Sequence, residues 1–135
     1  MAYWLMKTEP NEYSYDNLVN EGITVWDGIS NALALKYLRT MKIGDTALIY
    51  HTGKERKIVG TAEIVSLPYP NPTLDDPKLL VIQVKVGNRI CNPIHLKQIK
   101  QDEYFAGFDL VKLPRLSIVP VSVPYWQRLQ EMANG

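Results

Sequence analysis

A chain of 135 residues is the size of one domain and long enough to bury a core of its own. Its hydrophobic share of 46% and charged share of 21% are ordinary for a soluble globular protein, and no apolar run is long enough to cross a bilayer. A net charge of +1 argues against indiscriminate coating of DNA; clustered cations could give modest non-specific affinity for a nucleic acid, and specificity would have to come from a pocket.

The N-terminal residues lack the basic-then-apolar pattern of a secretory leader, and a cytoplasmic location is the expectation. Tyr3 to Lys7 is apolar and β-prone and predicts a strand. Ser14 is placed to cap a short helix that ends near Gly22, with Asp16 in its first turn. A second helix is expected from about Ile29 to Met41. Leu33, Ala34, Leu35, Tyr37, Leu38 and Met41 then share one broad arc, and Ile29, Ala32, Lys36, Arg39 and Thr40 fill the other side. Gly44-Asp45 closes this unit as a turn.

Thr46 to His51 reads as a central strand, and Ile58 to Val65 as its hairpin partner across the loop Thr52–Lys57. Leu67 to Pro72 is too rich in proline for regular structure. Val81 to Val86 alternates as a half-exposed strand does. Cys91 is the lone cysteine, which excludes an internal disulfide and zinc sites built from paired cysteines; between Ile90 and Asn92 it is expected as a small, semi-buried hydrophobe. A short helix is expected over Ile94–Gln101, and an edge strand over Leu116–Val121, where Pro120 cannot donate to a ladder. Ser122 then caps a C-terminal helix with Pro124 in its first turn. Strands in the middle with helices before and after them predict an α+β domain, built on a small mixed sheet or a partly closed barrel.

Two segments, Tyr3–Pro10 and Val25–Asn31, mix large aromatics with polar groups. That mixture suits a flat, hydrogen-bonding ligand such as a nucleobase, with one ring for stacking and polar groups for the edge. Trp26 is either core or the stacking face. Asp27-Gly28 after it exposes backbone donors if a helix starts there. On the helical projection Asn31 and Ser30 fall inside the apolar arc, and a buried amide without partners costs roughly 1–3 kcal/mol. Asn31 therefore either ties down the Trp26-Asp27-Gly28 turn or reaches a ligand edge. Lys7 and Thr8 either end a solvated strand or line a pocket beside Trp26. His51 is expected mainly as a hydrogen-bonded structural residue, with Glu63 on the neighbouring strand as a permitted partner. Lys54, Arg56 and Lys57 crowd the hairpin loop, and Lys36, Arg39 and Lys42 lie on or just beyond the second helix. Both groups either solvate a face or flank one groove as phosphate contacts. No metal-ligand spacing, phosphate-cradling glycine loop or nucleophile elbow is present, so no metal or cofactor is expected.

The segments YWLMKTEP (Tyr3–Pro10), VWDGISN (Val25–Asn31), MKIGD (Met41–Asp45), LIYHTG (Leu48–Gly53), IVGTAEIV (Ile58–Val65), YPNP (Tyr69–Pro72) and RLSIVPVS (Arg115–Ser122) run in order through nearly the whole chain. In them the chain resembles the EVE domain family of the PUA-like superfamily. The resemblance implies one domain over residues 1–135, a PUA-like mixed-sheet pseudo-barrel with flanking helices, and no catalytic activity. It implies recognition of a modified base, such as 5-methylcytosine or 5-hydroxymethylcytosine in DNA, or a modified base in RNA. By analogy with the related YTH readers, Lys7, Thr8, Trp26, Asp27, Gly28 and Asn31 would line the pocket, with Tyr50, His51 and Ser117 nearby. The chain departs from the family pattern at Ser30 and Leu35, where arginines are usual, and in Leu79–Val86, which lacks the usual tryptophan.

Two other classes of function fit the same residues. One is a PUA-like RNA-cleaving or hydrolytic enzyme using His51 with Glu63 or Lys7. The other is a protein-interaction module that kept the fold without the ligand.

Overall fold

The computed structural model of the chain describes residues 1–134 and holds within them seven strands and five α-helices. β1 (Tyr3–Thr8), β3 (Thr46–His51) and β4 (Lys57–Ile64) form the middle of the sheet. β1 and β3 run parallel, with Leu5 beside Leu48 and Lys7 beside Tyr50, whereas β3 and β4 make the expected antiparallel hairpin. Trp4, Leu5 and Met6 on β1 and Ala47 to His51 on β3 are all buried, because both faces of these strands are covered.

β2 (Ile23–Trp26), β5 (Tyr69–Pro70), β6 (Leu80–His95) and β7 (Ile118–Val121) complete the sheet in the order β2-β6-β4-β3-β1-β7, with β5 paired to the start of β6. β7 is an edge strand, as Pro120 requires. β6 is far longer than its alternating stretch implied. It absorbs an irregularity in which Ile90–Pro93 stand opposite the single Val59, between the pairs Gly60/Arg89 and Ile58/Ile94. Cys91 lies in that bulge and is exposed, so the semi-buried placement does not hold. The same bulge extends the strand through His95 and delays the next helix to Leu96.

α1 (Tyr15–Glu21) is capped by Ser14, whose hydroxyl accepts from the Asn17 N–H, and ends at Gly22. α2 (Ala32–Thr40) starts three residues later than its apolar arc suggested. Gly28 has φ +76°, a left-handed turn that glycine adopts without Cβ strain, and Asn31 is extended, so residues 28–31 form a non-helical approach. Ala34, Leu35 and Leu38 carry the expected buried face, but Ile29 is buried as well, contrary to its place on the helical projection. α3 (Leu96–Gln101), α4 (Asp109–Lys112) and α5 (Val123–Asn134) follow, with a short 3-10 turn at Glu103–Phe105. Neither β2 nor α4 was visible in the sequence pattern, and β5 stands inside the proline-rich stretch expected to lack regular structure, held by its pairing with Leu80 and Val81.

The sheet curls. β1 and β2 stand four places apart in strand order, which in a flat sheet would separate them by roughly 19 Å. Yet Lys7 and Thr8 at the end of β1 line the same cavity as Thr24, Val25 and Trp26 of β2. Bulges in β3–β4 and β4–β6 supply the bend. The result is the mixed-sheet pseudo-barrel with flanking helices that was expected. Its open seam, between the C-terminal ends of β1 and β2, is where the cavity lies.

Candidate functional site

The cavity in the seam has a volume of about 510 Å³, within the range of roughly 300–1,000 Å³ usual for small-ligand sites. β1 supplies Lys7 and Thr8, the turn after it Glu9, Glu12 and Tyr13, and β2 with its following turn Thr24 to Gly28. Pro10 bends the chain away from β1, and the Glu9 carbonyl accepts from the N–H groups of Glu12 and Tyr13, which holds that turn against the opening. The Thr8 hydroxyl donates to the Tyr13 carbonyl at 2.7 Å and ties the turn to the strand.

Trp26 is only 8% exposed, so most of the indole is core and a margin of it forms wall. Tyr13 meets it at 85° with ring centroids 6.0 Å apart, and the two rings make a corner. Burial pushes the Tyr13 hydroxyl above the usual tyrosine pKa. Glu9, Glu12 and Asp27 border the cavity with Lys7 as its one basic residue, and the Glu9 carboxylate accepts from the Thr52 hydroxyl at 3.3 Å. Lys7 Nζ donates to the Pro114 carbonyl at 2.9 Å and lies 5.7 Å from the centre of the Tyr50 ring, and burial pushes its pKa below the ordinary lysine value. Three acidic residues and one basic one give the surroundings of the cavity a net negative character.

The structure brings together Lys7, Thr8, Trp26, Asp27 and Gly28 of the residues proposed from sequence. It does not bring Asn31 to them. Asn31 is exposed and caps α2, its Oδ1 accepting from the Ala34 N–H at 3.0 Å, and its side chain borders a separate hollow with Leu33 and Lys112 to Leu116. The buried amide expected from the projection is absent because residue 31 is outside the helix. Tyr50 borders a neighbouring hollow of about 420 Å³ that shares Lys7 with the cavity. The backbone carbonyl of Ser117 accepts from the Lys7 N–H, so Ser117 positions the strand and does not line the cavity.

His51 lies behind the site. It is 7% exposed, its Nε2 accepts from the Tyr15 N–H at 3.0 Å, and its Nδ1 contacts Glu55 Oε1 at 2.9 Å. Glu63 is paired with Thr46 at the opposite end of the hairpin, so the His51–Glu63 pair permitted by sequence does not form. Glu55, missed in the sequence, takes that place. Its hydrogen bond from His51 holds its carboxyl below the usual range, despite some opposing burial.

Glu9, Glu12, Tyr13, Thr24 and Val25 were not among the proposed site residues. Glu9 had a signal, since Pro10 forces an extended residue before a turn. Lys54 and Arg56 are in the hairpin loop as expected and border a further hollow with α3, whereas Lys57 is already the first residue of β4. Lys36 and Arg39 are exposed on α2 and border none of these hollows.

The model of the EVE domain matches residues 2–132. Thymocyte nuclear protein 1 of Mus musculus is 32% identical over 124 residues, covering 73% of this chain and 55% of the mouse protein. The chain thus spans about half the length of the curated relatives it matches. The NMR structure of Rpa0253 from Rhodopseudomonas palustris superposes with a TM-score of 0.94 at 34% identity, covering 99% of this chain and 94% of that one. The crystal structure of human THYN1 protein in complex with 5-methylcytosine containing DNA gives a TM-score of 0.87 at 28% identity, covering 100% and 99%. With the family's segments and its fold both present over nearly every residue, the chain belongs to the EVE domain family.

Proposed function

We propose that this domain binds nucleic acid without catalysing a reaction, and that it takes one modified base into the cavity beside Trp26. The candidates are 5-methylcytosine or 5-hydroxymethylcytosine in DNA and a modified base in RNA. The observation that carries the reading is the lining itself: a corner of two perpendicular rings, with Glu9, Glu12, Asp27 and Lys7 bordering a space of about 510 Å³. Carboxylates accept from the amino group of cytosine, and Lys7 donates to the ring's acceptors. Val25 and the exposed margin of Trp26 offer apolar surface to a methyl group. The likeness to human THYN1, whose complex contains 5-methylcytosine DNA, supports the same choice.

Stacking contributes about 1–3 kcal/mol per base, and extruding a paired base costs a few kcal/mol. Edge contacts to Asp27, Glu9 or Lys7 must therefore add to the indole. His51 does not favour the enzyme reading, because both of its ring nitrogens are engaged inside the fold.

A tryptophan-fluorescence titration with matched duplexes, one carrying a single 5-methylcytosine, tests the reading. The expected result is stronger quenching by the modified duplex, abolished by Trp26→Phe, which leaves Trp4 and Trp126 as internal references. Equal quenching by both duplexes overturns it.

A further inference from the structure

Three hollows run on from one another. The base cavity shares Lys7 with the hollow beside Tyr50, and that hollow shares Arg56, Leu96 and Lys100 with a third of about 450 Å³ between the β3–β4 loop and α3. The charge reverses along this path. The first hollow is bordered by Glu9, Glu12 and Asp27 with Lys7 as its one base, whereas the third is bordered by Lys54, Arg56, Lys97 and Lys100, with Glu55 as its one acid. Glu55 is already engaged by His51 at 2.9 Å and by Lys57 at 3.7 Å. None of the four cations has a carboxylate within 4.0 Å among the described residues.

Arg56 adds a second, independent observation. Its φ is +47°, and among the described residues it alone has a positive φ without being glycine. An arginine there carries backbone strain that a glycine would not. The strained turn is held by the Leu96 N–H donating to the Arg56 carbonyl at 2.8 Å and by Arg56 Nε donating to the Gly53 carbonyl at 3.2 Å.

We infer that Arg56 and Lys100, with Lys54 and Lys97 beyond them, form the seat for the phosphodiester backbone of the nucleic acid whose base enters the cavity beside Trp26. The inference rests on the proposed function and assigns the strand a direction across the surface, from the acidic base cavity past Lys7 to the trough along α3. Phosphates are drawn to the basic third hollow and away from the acidic first one, so base and backbone are sorted by charge. Lys36 and Arg39 have no part in it.

Fluorescence anisotropy tests this with a labelled duplex carrying one 5-methylcytosine and its unmodified counterpart, over about 50 to 200 mM salt. Each phosphate contact on a duplex contributes about 0.9 to the slope of log affinity against log salt. Arg56→Gly should lower that slope by about one and leave the thermal midpoint unchanged or raised. Arg56→Gly with Lys100→Gln should lower it by about two, with the preference for the modified duplex retained. Lys36→Gln with Arg39→Gln should leave it unchanged. A wild-type slope in the Arg56→Gly/Lys100→Gln variant, or a slope lost in the Lys36→Gln/Arg39→Gln variant, overturns the seat while the base reading stands. Equal binding of both duplexes with a slope that depends on Arg56 and Lys100 overturns the base reading and keeps the seat. A wild-type protein that binds neither duplex overturns both.

Discussion

The Tyr15 N–H donates to Nε2 of His51 at 3.0 Å. An amide can only donate, so Nε2 is the accepting nitrogen, and Nδ1 carries the proton that is given to Glu55 at 2.9 Å. Tyr15 is the first residue of α1, one of the positions whose N–H has no partner inside the helix. His51 supplies that partner from β3 and fixes where α1 starts, immediately after the turn that lines the base cavity.

His51→Ala removes this partner and leaves a buried N–H unsatisfied, at a cost of about 1–3 kcal/mol. Denaturant unfolding should show that loss. Labelled RNA incubated with wild type and with the variant should show no product that depends on His51; such a product would support the hydrolytic reading.

A second buried polar residue secures the other end of β1. Asp45, 3% exposed, accepts from the Ala2 N–H, the Trp4 indole N–H and the Lys42 N–H, each at 3.0 Å. Burial works to raise its pKa, but these bonds together outweigh burial and hold the carboxyl below the usual range. The unfolded chain therefore binds more protons than the native one in acid. The stabilisation is complete above the unfolded value of about 3.9 and is lost as pH falls through the lower native value. Asp45→Asn should flatten the fall in stability below about pH 4, and denaturant unfolding at a series of pH values measures it. The variant should also be less stable at neutral pH, since the buried indole N–H alone accounts for about 1–3 kcal/mol if left unpaired.

Gly60 is required for a different reason. A Cβ built there would lie 2.3 Å from the Tyr15 ring, and that ring is fully buried with its hydroxyl donating to the Thr61 carbonyl at 2.8 Å. The ring has nowhere to go. Gly60→Ala should destabilise by about 1–3 kcal/mol through overpacking. Combined with Tyr15→Leu the loss should be clearly less than additive, and additive losses would show that the contact is not the cause.

These contacts separate what local pattern reveals from what only the folded chain shows. β1, α1 and the β3–β4 hairpin were legible because apolar periodicity, a serine cap and a turn are written in neighbouring residues. β2 was not. Its four residues carry no clear alternation, and they become a strand by pairing with Ile82–Lys85, some sixty residues away. The cavity wall of Thr24 and Val25 was lost with it. Trp26, Lys7 and Thr8 were found because aromatic and polar groups lie close together in two short segments. Asn31 was misplaced because a helical projection extended back past Gly28 treats a left-handed turn as helix.

Asn31 therefore separates fold from recognition. Its Oδ1 caps α2 through the Ala34 N–H, and replacing an asparagine cap by alanine costs about 1 kcal/mol. Asn31 borders the hollow formed with Leu33 and Lys112 to Leu116 and is not among the residues lining the base cavity. Asn31→Ala should thus lower stability by about that amount, read by thermal or denaturant unfolding. The ratio of affinities for modified and plain duplexes should stay at its wild-type value. Asp27→Asn, at the cavity itself, should do the reverse, because it removes the charge of an exposed lining residue that makes no cap or core contact. If Asn31→Ala abolished the discrimination without unfolding the protein, the amide would have to move into the seam on binding, and residues 28–31 would be a hinge rather than a fixed approach to α2.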